Sequence, residues 1–131
     1  MTTDIVVFFK ALADETRWRI ACLAADEALC VCELADILDM PQSSVSSHVQ
    51  IIRKAGLLES EQCGKWTYFR IEPKTRALLK TIRETVSPKS SAILSQDARR
   101  AVARLKERES SCCPRPQHLA ISPTKKPLSK P

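Results

Sequence analysis

The stretch Asp39-Met40-Pro41 breaks a helical pattern between two others, and this interruption constrains the fold more than any other feature of the chain. Proline cannot continue a helix already under way, but it sits well at the start of the next one. Upstream, Leu29 to Leu38 reads as a helix with Leu34, Ile37 and Leu38 turned inward. Downstream, Gln42 to Ala55 reads as another, with Val45, Val49 and Ile52 at i, i+4 and i+7 forming one buried stripe. The opposite side of that helix carries Gln42, Ser43, Ser44, Ser46, Ser47 and His48, all short or polar and mostly uncharged. Serine is a mediocre helix former, so such a face is not built for stability alone. Ala55-Gly56 ends the helix, because glycine relieves the left-handed cap.

The flanks complete an order of elements. Thr3 to Ala13 shows helical spacing at Val6, Phe9 and Ala13, flanked by Ile5, Phe8 and Leu12. Asp14 is placed to accept from exposed amides and open a second helix, Glu15 to Ala25, which buries Trp18, Ile20, Ala21 and Leu23. After Gly56, Leu57 to Gln62 and Lys65 to Ile71 read as strands joined by a Cys63-Gly64 turn, with Trp66, Tyr68 and Phe69 as aromatic strand formers. Pro73 closes this hairpin unit, and Thr75 to Val86 is helical with Leu78, Leu79 and Ile82 apolar. Ser87-Pro88 predicts a kink or a fresh helix, along which Ile93, Leu94, Ala98, Ala101, Val102 and Leu105 continue an apolar stripe toward Glu109. Five prolines beyond Cys113, with few apolar anchors, predict disorder. Three segments result: 1–86 as the domain of helices and hairpin, 87–113 as a C-terminal helix ending in a Cys pair, and 114–131 as a basic, Pro-rich tail.

Composition narrows the functions. The 131 residues carry 21 Lys and Arg against 15 Asp and Glu, a net charge of +6. The tail from Pro114 supplies four of the positive charges and no acid, so the body carries only +2. A mildly basic body permits a polyanionic partner without demonstrating one. No stretch approaches the roughly 20 apolar residues of a spanning helix, and Asp4 and Lys10 around a short apolar run do not form a secretory leader. A cytoplasmic location with reduced thiols is therefore expected for the six cysteines. Two glycines leave no room for a Gly-rich phosphate cradle. A thiol enzyme needs a nucleophile with a fixed base; no CxxC occurs, and neither His48 nor His118 neighbours a cysteine, so catalysis is not expected.

Helix, helix, tight break, polar-faced helix and hairpin describe a winged helix-turn-helix, mainly α with a β-hairpin. With Val45, Val49 and Ile52 against the body, Ser43, Ser44, Ser46 and Ser47 point outward, where short hydroxyls let a helix approach a major groove closely. Gln42 either reads adenine or simply begins the helix. His48 reads as a hydrogen-bonded structural histidine beside a phosphate or a neighbouring helix, in preference to a metal ligand. Arg53, Lys54, Lys65 and Arg70 are candidate phosphate contacts.

Four motifs in one order, Glu27-Ala-Leu-Cys-Val-Cys-Glu-Leu34, Pro41-Gln-Ser-Ser-Val-Ser-Ser-His48, Arg53-Lys-Ala-Gly-Leu57 and Gly64-Lys-Trp-Thr-Tyr-Phe-Arg70, resemble the ArsR/SmtB family of metalloregulatory repressors. The likeness spans roughly Phe8 to Val86. It implies a homodimer joined through the first and post-hairpin helices, bound to an inverted-repeat operator in double-stranded DNA and released by a toxic metal or metalloid. Pairing two recognition helices to read two half-sites also follows physically.

Cys30-Val31-Cys32 resembles the signature of arsenic- and cadmium-responsive members, which implies As(III) or Sb(III) as inducer and no organic cofactor. On a regular helix, positions i and i+2 point roughly 200° apart, so both sulfurs reach one ion only if the start of the helix is unwound or distorts on binding. The helix amino terminus is expected to favour the thiolates. Trivalent arsenic wants three sulfurs, and the third cysteine usual in the motif is replaced by Glu33, Leu34 and Ala35. Cys112 and Cys113 either supply it or nucleate a separate site, from the same chain or its partner. Cys22 reads as core, and Cys63 as incidental on the hairpin. The Asp/His pairs of zinc-sensing relatives are not reproduced by Asp97 and His118. Thiol redox or persulfide sensing, and cadmium or lead sensing, are the alternatives for the same fold.

Overall fold

A computed structural model describes residues 2–86 and 91–108. The elements run α1 (Thr2–Leu12), α2 (Glu15–Asp26), β1 (Leu29–Cys30), α3 (Val31–Leu38), α4 (Gln42–Lys54), β2 (Leu58–Cys63), β3 (Trp66–Ile71), α5 (Pro73–Val86) and α6 (Ser91–Lys106). The fold is a winged helix-turn-helix. Asp14 opens α2 as expected, its carboxylate accepting the Arg17 amide at 3.1 Å. At the end of α3, Asp39 adopts a left-handed φ of 59°, which Asp tolerates, and the chain turns through Met40 into α4. The predicted stripe of α4 is in place: Val45, Val49 and Ile52 are fully buried among Leu34, Ile37 and Leu38.

The sheet is antiparallel in the order β1-β3-β2, with Leu29 opposite Phe69 and Cys30 opposite Tyr68. This corrects the helix expected over Leu29 to Leu38, whose first two residues are strand. Alternation across the sheet is the reason. Leu29 buries with Phe69 and Ile71 in the main core, while Cys30 and Tyr68 form a smaller cluster that Cys32, Cys63 and Trp66 pack against. A helix would break that division. The hairpin turn is Gly64-Lys65, one residue later than expected, because Cys63 pairs with Trp66 and the positive φ of 62° falls on Gly64. Pro73 opens α5 rather than closing the hairpin, as suits a residue without an amide proton at a first helical position.

The largest departure concerns α6. The apolar stripe read from the sequence docks only in part: Ala101 is buried in the main core and Leu105 packs against it, but Ala98 and Val102 are exposed, and Ile93 and Leu94 only half-buried. Beside Ala101, the charged Asp97 and Arg104 are buried, and Arg108, just beyond the end of α6, continues the line at i, i+4, i+7 and i+11. Arg19 forks onto Asp97 at 2.9 Å, Arg104 reaches Asp36 at 2.7 Å, and Arg100 donates to the Ile37 carbonyl at 2.9 Å. Opposite charges on α2 and α3 satisfy these side chains, and this decides which face turns inward. On α1, Ile5, Val6, Val7 and Phe9 are exposed, an apolar face of the kind another chain covers. The expected break at Ser87-Pro88 and the Pro-rich tail lie outside the described residues, as do the segment boundaries placed there.

Candidate DNA-reading face and thiol site

On α4, Gln42, Ser43, Ser47, Arg53 and Lys54 are exposed, and Ser44 and Ser46 half-buried. The Ser47 hydroxyl donates back to the Ser43 carbonyl at 3.2 Å. Lys65 is exposed at the tip of the hairpin. Arg70 sits differently: it is half-buried near the base of the wing, and burial followed by the charge of Arg76 lowers its pKa from the usual arginine value. His48 turns toward α2, its Nδ1 3.3 Å from Arg17 Nη1 and 3.9 Å from Asp14 Oδ2. These contacts join His48 to a neighbouring helix, one of the structural settings expected for it. Arg17 was not singled out in the sequence, yet it ties three helices together: its Nε donates to the Ala11 carbonyl at 2.7 Å and its Nη2 to that of Lys10 at 3.3 Å. A lone arginine inside a helical pattern carries no local signal of such a role.

At the β1–α3 junction, Cys30 lies outside the helix, with φ −94° and ψ 170°, as its N-cap. The extended backbone removes the angular conflict of an i, i+2 pair on one helix. The Cys30 and Cys32 sulfurs stand 3.2 Å apart. With metal–sulfur bonds of about 2.3 Å, two sulfurs at that separation can share one ion. Glu33 completes a capping box, its Oε1 accepting the Cys30 amide at 3.2 Å. The expected thiolate preference is not met at Cys30. Burial, and next the nearby Glu33 charge, push its thiol well above the ordinary range. An ion bound there must therefore displace a proton.

Among the described residues, no three His, Cys, Asp or Glu side chains are grouped to hold a metal ion. Cys112 and Cys113, the expected sources of a third sulfur, lie outside the described residues. Cys22 is buried, which raises its pKa to about 12, in keeping with a core role. Cys63 is less incidental than the sequence suggested: it packs in the cluster of Cys30, Tyr68 and Cys32, with its thiol 3.5 Å from Glu61 Oε2. The sequence also undervalued Glu33 and Arg108. Glu33 is fully buried, and Arg108 binds it through two nitrogens at 2.7 and 2.8 Å. Glu three positions after an N-cap was a readable signal for Glu33. Arg108 lies 75 residues away and had none.

An exposed short-side-chain helix following a tight turn, beside an aromatic wing, defines a DNA-binding transcriptional regulator rather than an enzyme. Residues 14–60 match the family described as bacterial regulatory protein, arsR family. The chain is 38% identical over 106 residues to the arsenic resistance transcriptional regulator ArsR1 of Pseudomonas putida, covering 80% of this chain and 82% of that one. It belongs to the arsR family. It is also 36% identical over 72 residues to the cadmium resistance transcriptional regulatory protein CadC of Listeria innocua, covering 54% of this chain and 60% of that one. Among solved structures it resembles the homodimeric winged helix-turn-helix DNA-binding domain Mb0332 of Mycobacterium bovis, with a TM-score of 0.60 and 25% identity over 63% of this chain and 77% of that one. No helix among the described residues is long and apolar enough to cross a membrane.

Proposed function

We propose that this protein is a homodimeric repressor that leaves an inverted-repeat operator when trivalent arsenic or antimony is bound by Cys30 and Cys32 with a third sulfur from Cys112 or Cys113. The observation that carries the reading is the 3.2 Å separation of two thiols at the start of α3, the first helix of the helix-turn-helix. Three soft thiolates suit a trivalent metalloid, and reshaping the amino end of α3 would disturb the element that supports α4. Ser43, Ser44, Ser46 and Ser47, with Gln42 at the start of the helix, would read bases; Arg53, Lys54 and Lys65 would meet phosphates. Arg70 and His48 would contribute from the base of the wing and from the α2 side. The exposed apolar face of α1 supports dimerisation. As a regulator of transcription, the protein would act in the cytoplasm, where bacterial DNA is.

Chain reach supports a same-chain site. Arg108 is anchored to Glu33, and Cys112 follows four residues later. An extended segment of that length spans up to about 14 Å. Cadmium sensing is the second reading, supported by the likeness to CadC. Titrating arsenite into a complex with labelled operator tests the first. Release from the wild type, with a Cys30→Ser/Cys32→Ser protein that binds operator but stays bound, is expected. Unchanged DNA affinity at saturating arsenite overturns the sensing role, and release by cadmium at lower concentration than arsenite favours the second reading.

A further inference from the structure

The thiol pair is held by a clasp whose two halves lie 75 residues apart in the chain. Glu33, fully buried, accepts the Cys30 amide with the same Oε1 that takes the Arg108 Nη2 proton at 2.8 Å, while its Oε2 takes the Nε proton at 2.7 Å. Arg108 Nη2 also donates to the Ala28 carbonyl at 2.9 Å, fixing the residue that leads into β1. Its guanidinium carbon lies 5.3 Å from the centroid of Tyr68, the strand partner of Cys30. Arg108 thus touches Ala28, Glu33 and Tyr68, which bracket Cys30 before, after and across the sheet.

We infer that Arg108 and Glu33 are positioning residues of the thiol site, holding Cys30 in its extended conformation so that its sulfur converges with that of Cys32. This rests on the thiol-sensing reading above. A cysteine cap alone is a weak tie for the first turn of a helix, because sulfur is a poor acceptor. The bidentate carboxylate grip supplies the rigidity. Without Arg108 the Glu33 carboxylate loses the two bonds that fix it, and Cys30 is free to join the helix, which would swing its sulfur away from Cys32.

The probe is phenylarsine oxide, an arsenical that takes two thiolates, titrated into the full chain with operator affinity and thermal stability measured in parallel. Arg108→Met is expected to weaken phenylarsine oxide binding by about tenfold or more, the usual scale for groups that orient a metal ligand. Arg108→Lys is expected to recover part of the loss. Arg104→Met, which loosens α6 from Asp36 without touching the clasp, is expected to bind the probe as the wild type does. If Arg108→Met unfolds, Arg108→Lys carries the test, since it keeps the charge and loses the two-pronged grip; wild-type affinity in that variant overturns the inference. Equal weakening in Arg104→Met overturns it as well, by showing that docking of α6 alone matters. A wild type that fails to bind the probe through Cys30 and Cys32 overturns the thiol-sensing reading itself, whereas wild-type binding with an unaffected Arg108→Met overturns only the positioning role.

Discussion

Two helices dock on the same body by opposite means. The α4 seam is Val45, Val49 and Ile52, all fully buried in the main core. The seam of α6 and the turn after it buries Ala101 but is held mainly by Asp97, Arg104 and Arg108, each paired with a charge from α2 or α3. Apolar packing is not screened by salt and fixes a helix in one place, as a groove-reading helix requires. Ion pairs depend on their partners and surroundings, and each is worth little unless well buried. The helix that would read DNA is set rigidly, and the helix that runs to the thiol site is latched by charge. A regulator gains from that division if sensing is to alter one part without dissolving the other.

The largest test falls on the apolar seam. Ile52→Ala is expected to cost about 2–5 kcal/mol, since it opens a cavity under α4. Urea unfolding at low and high salt checks it, and a loss that shrinks markedly with salt breaks the comparison. Asp97→Asn comes next. It leaves the Arg19 guanidinium with a neutral partner and is expected to cost about 1.5–3 kcal/mol, within the range for hydrogen bonds to charged groups. The same unfolding assay should show the Asp97→Asn loss declining as salt screens the wild-type pair. The smallest effect belongs to Arg104→Met. The Asp36 side chain is 60% exposed, so the change is expected to cost under about 1 kcal/mol. Amide exchange resolved by residue should show α6 loosening while α4 stays protected; equal loosening of both would show that the seams are not independent.

Periodicity and punctuation made much of the DNA-reading half legible. Val45, Val49 and Ile52 repeat at helical spacing, Pro41 marks the break, and Asp14 is a strong N-cap, so each carries its physics within a few residues. The thiol half was legible as a pair of cysteines but not as a shape. Leu29-Cys30 looked helical because a two-residue strand offers no periodicity to read; its pairing with Phe69 and Tyr68 decides it. The α6 stripe misled for a related reason. Counting apolar residues assumes that the buried face is the greasy one, and Asp97 and Arg104 are buried because Arg19 and Asp36 await them.

The sequence by itself determined the order of the helices and the hairpin, the buried side of α4 and the presence of two neighbouring thiols, since all of these follow from local propensity and spacing. Only the tertiary structure decided that Cys30 stands outside its helix, that its sulfur meets Cys32, and that Arg108, 75 residues beyond Glu33, grips that carboxylate beside them. Backbone pairing across a sheet and the compensation of buried charge act between residues far apart in the chain, and nothing in a local window records which partner will arrive.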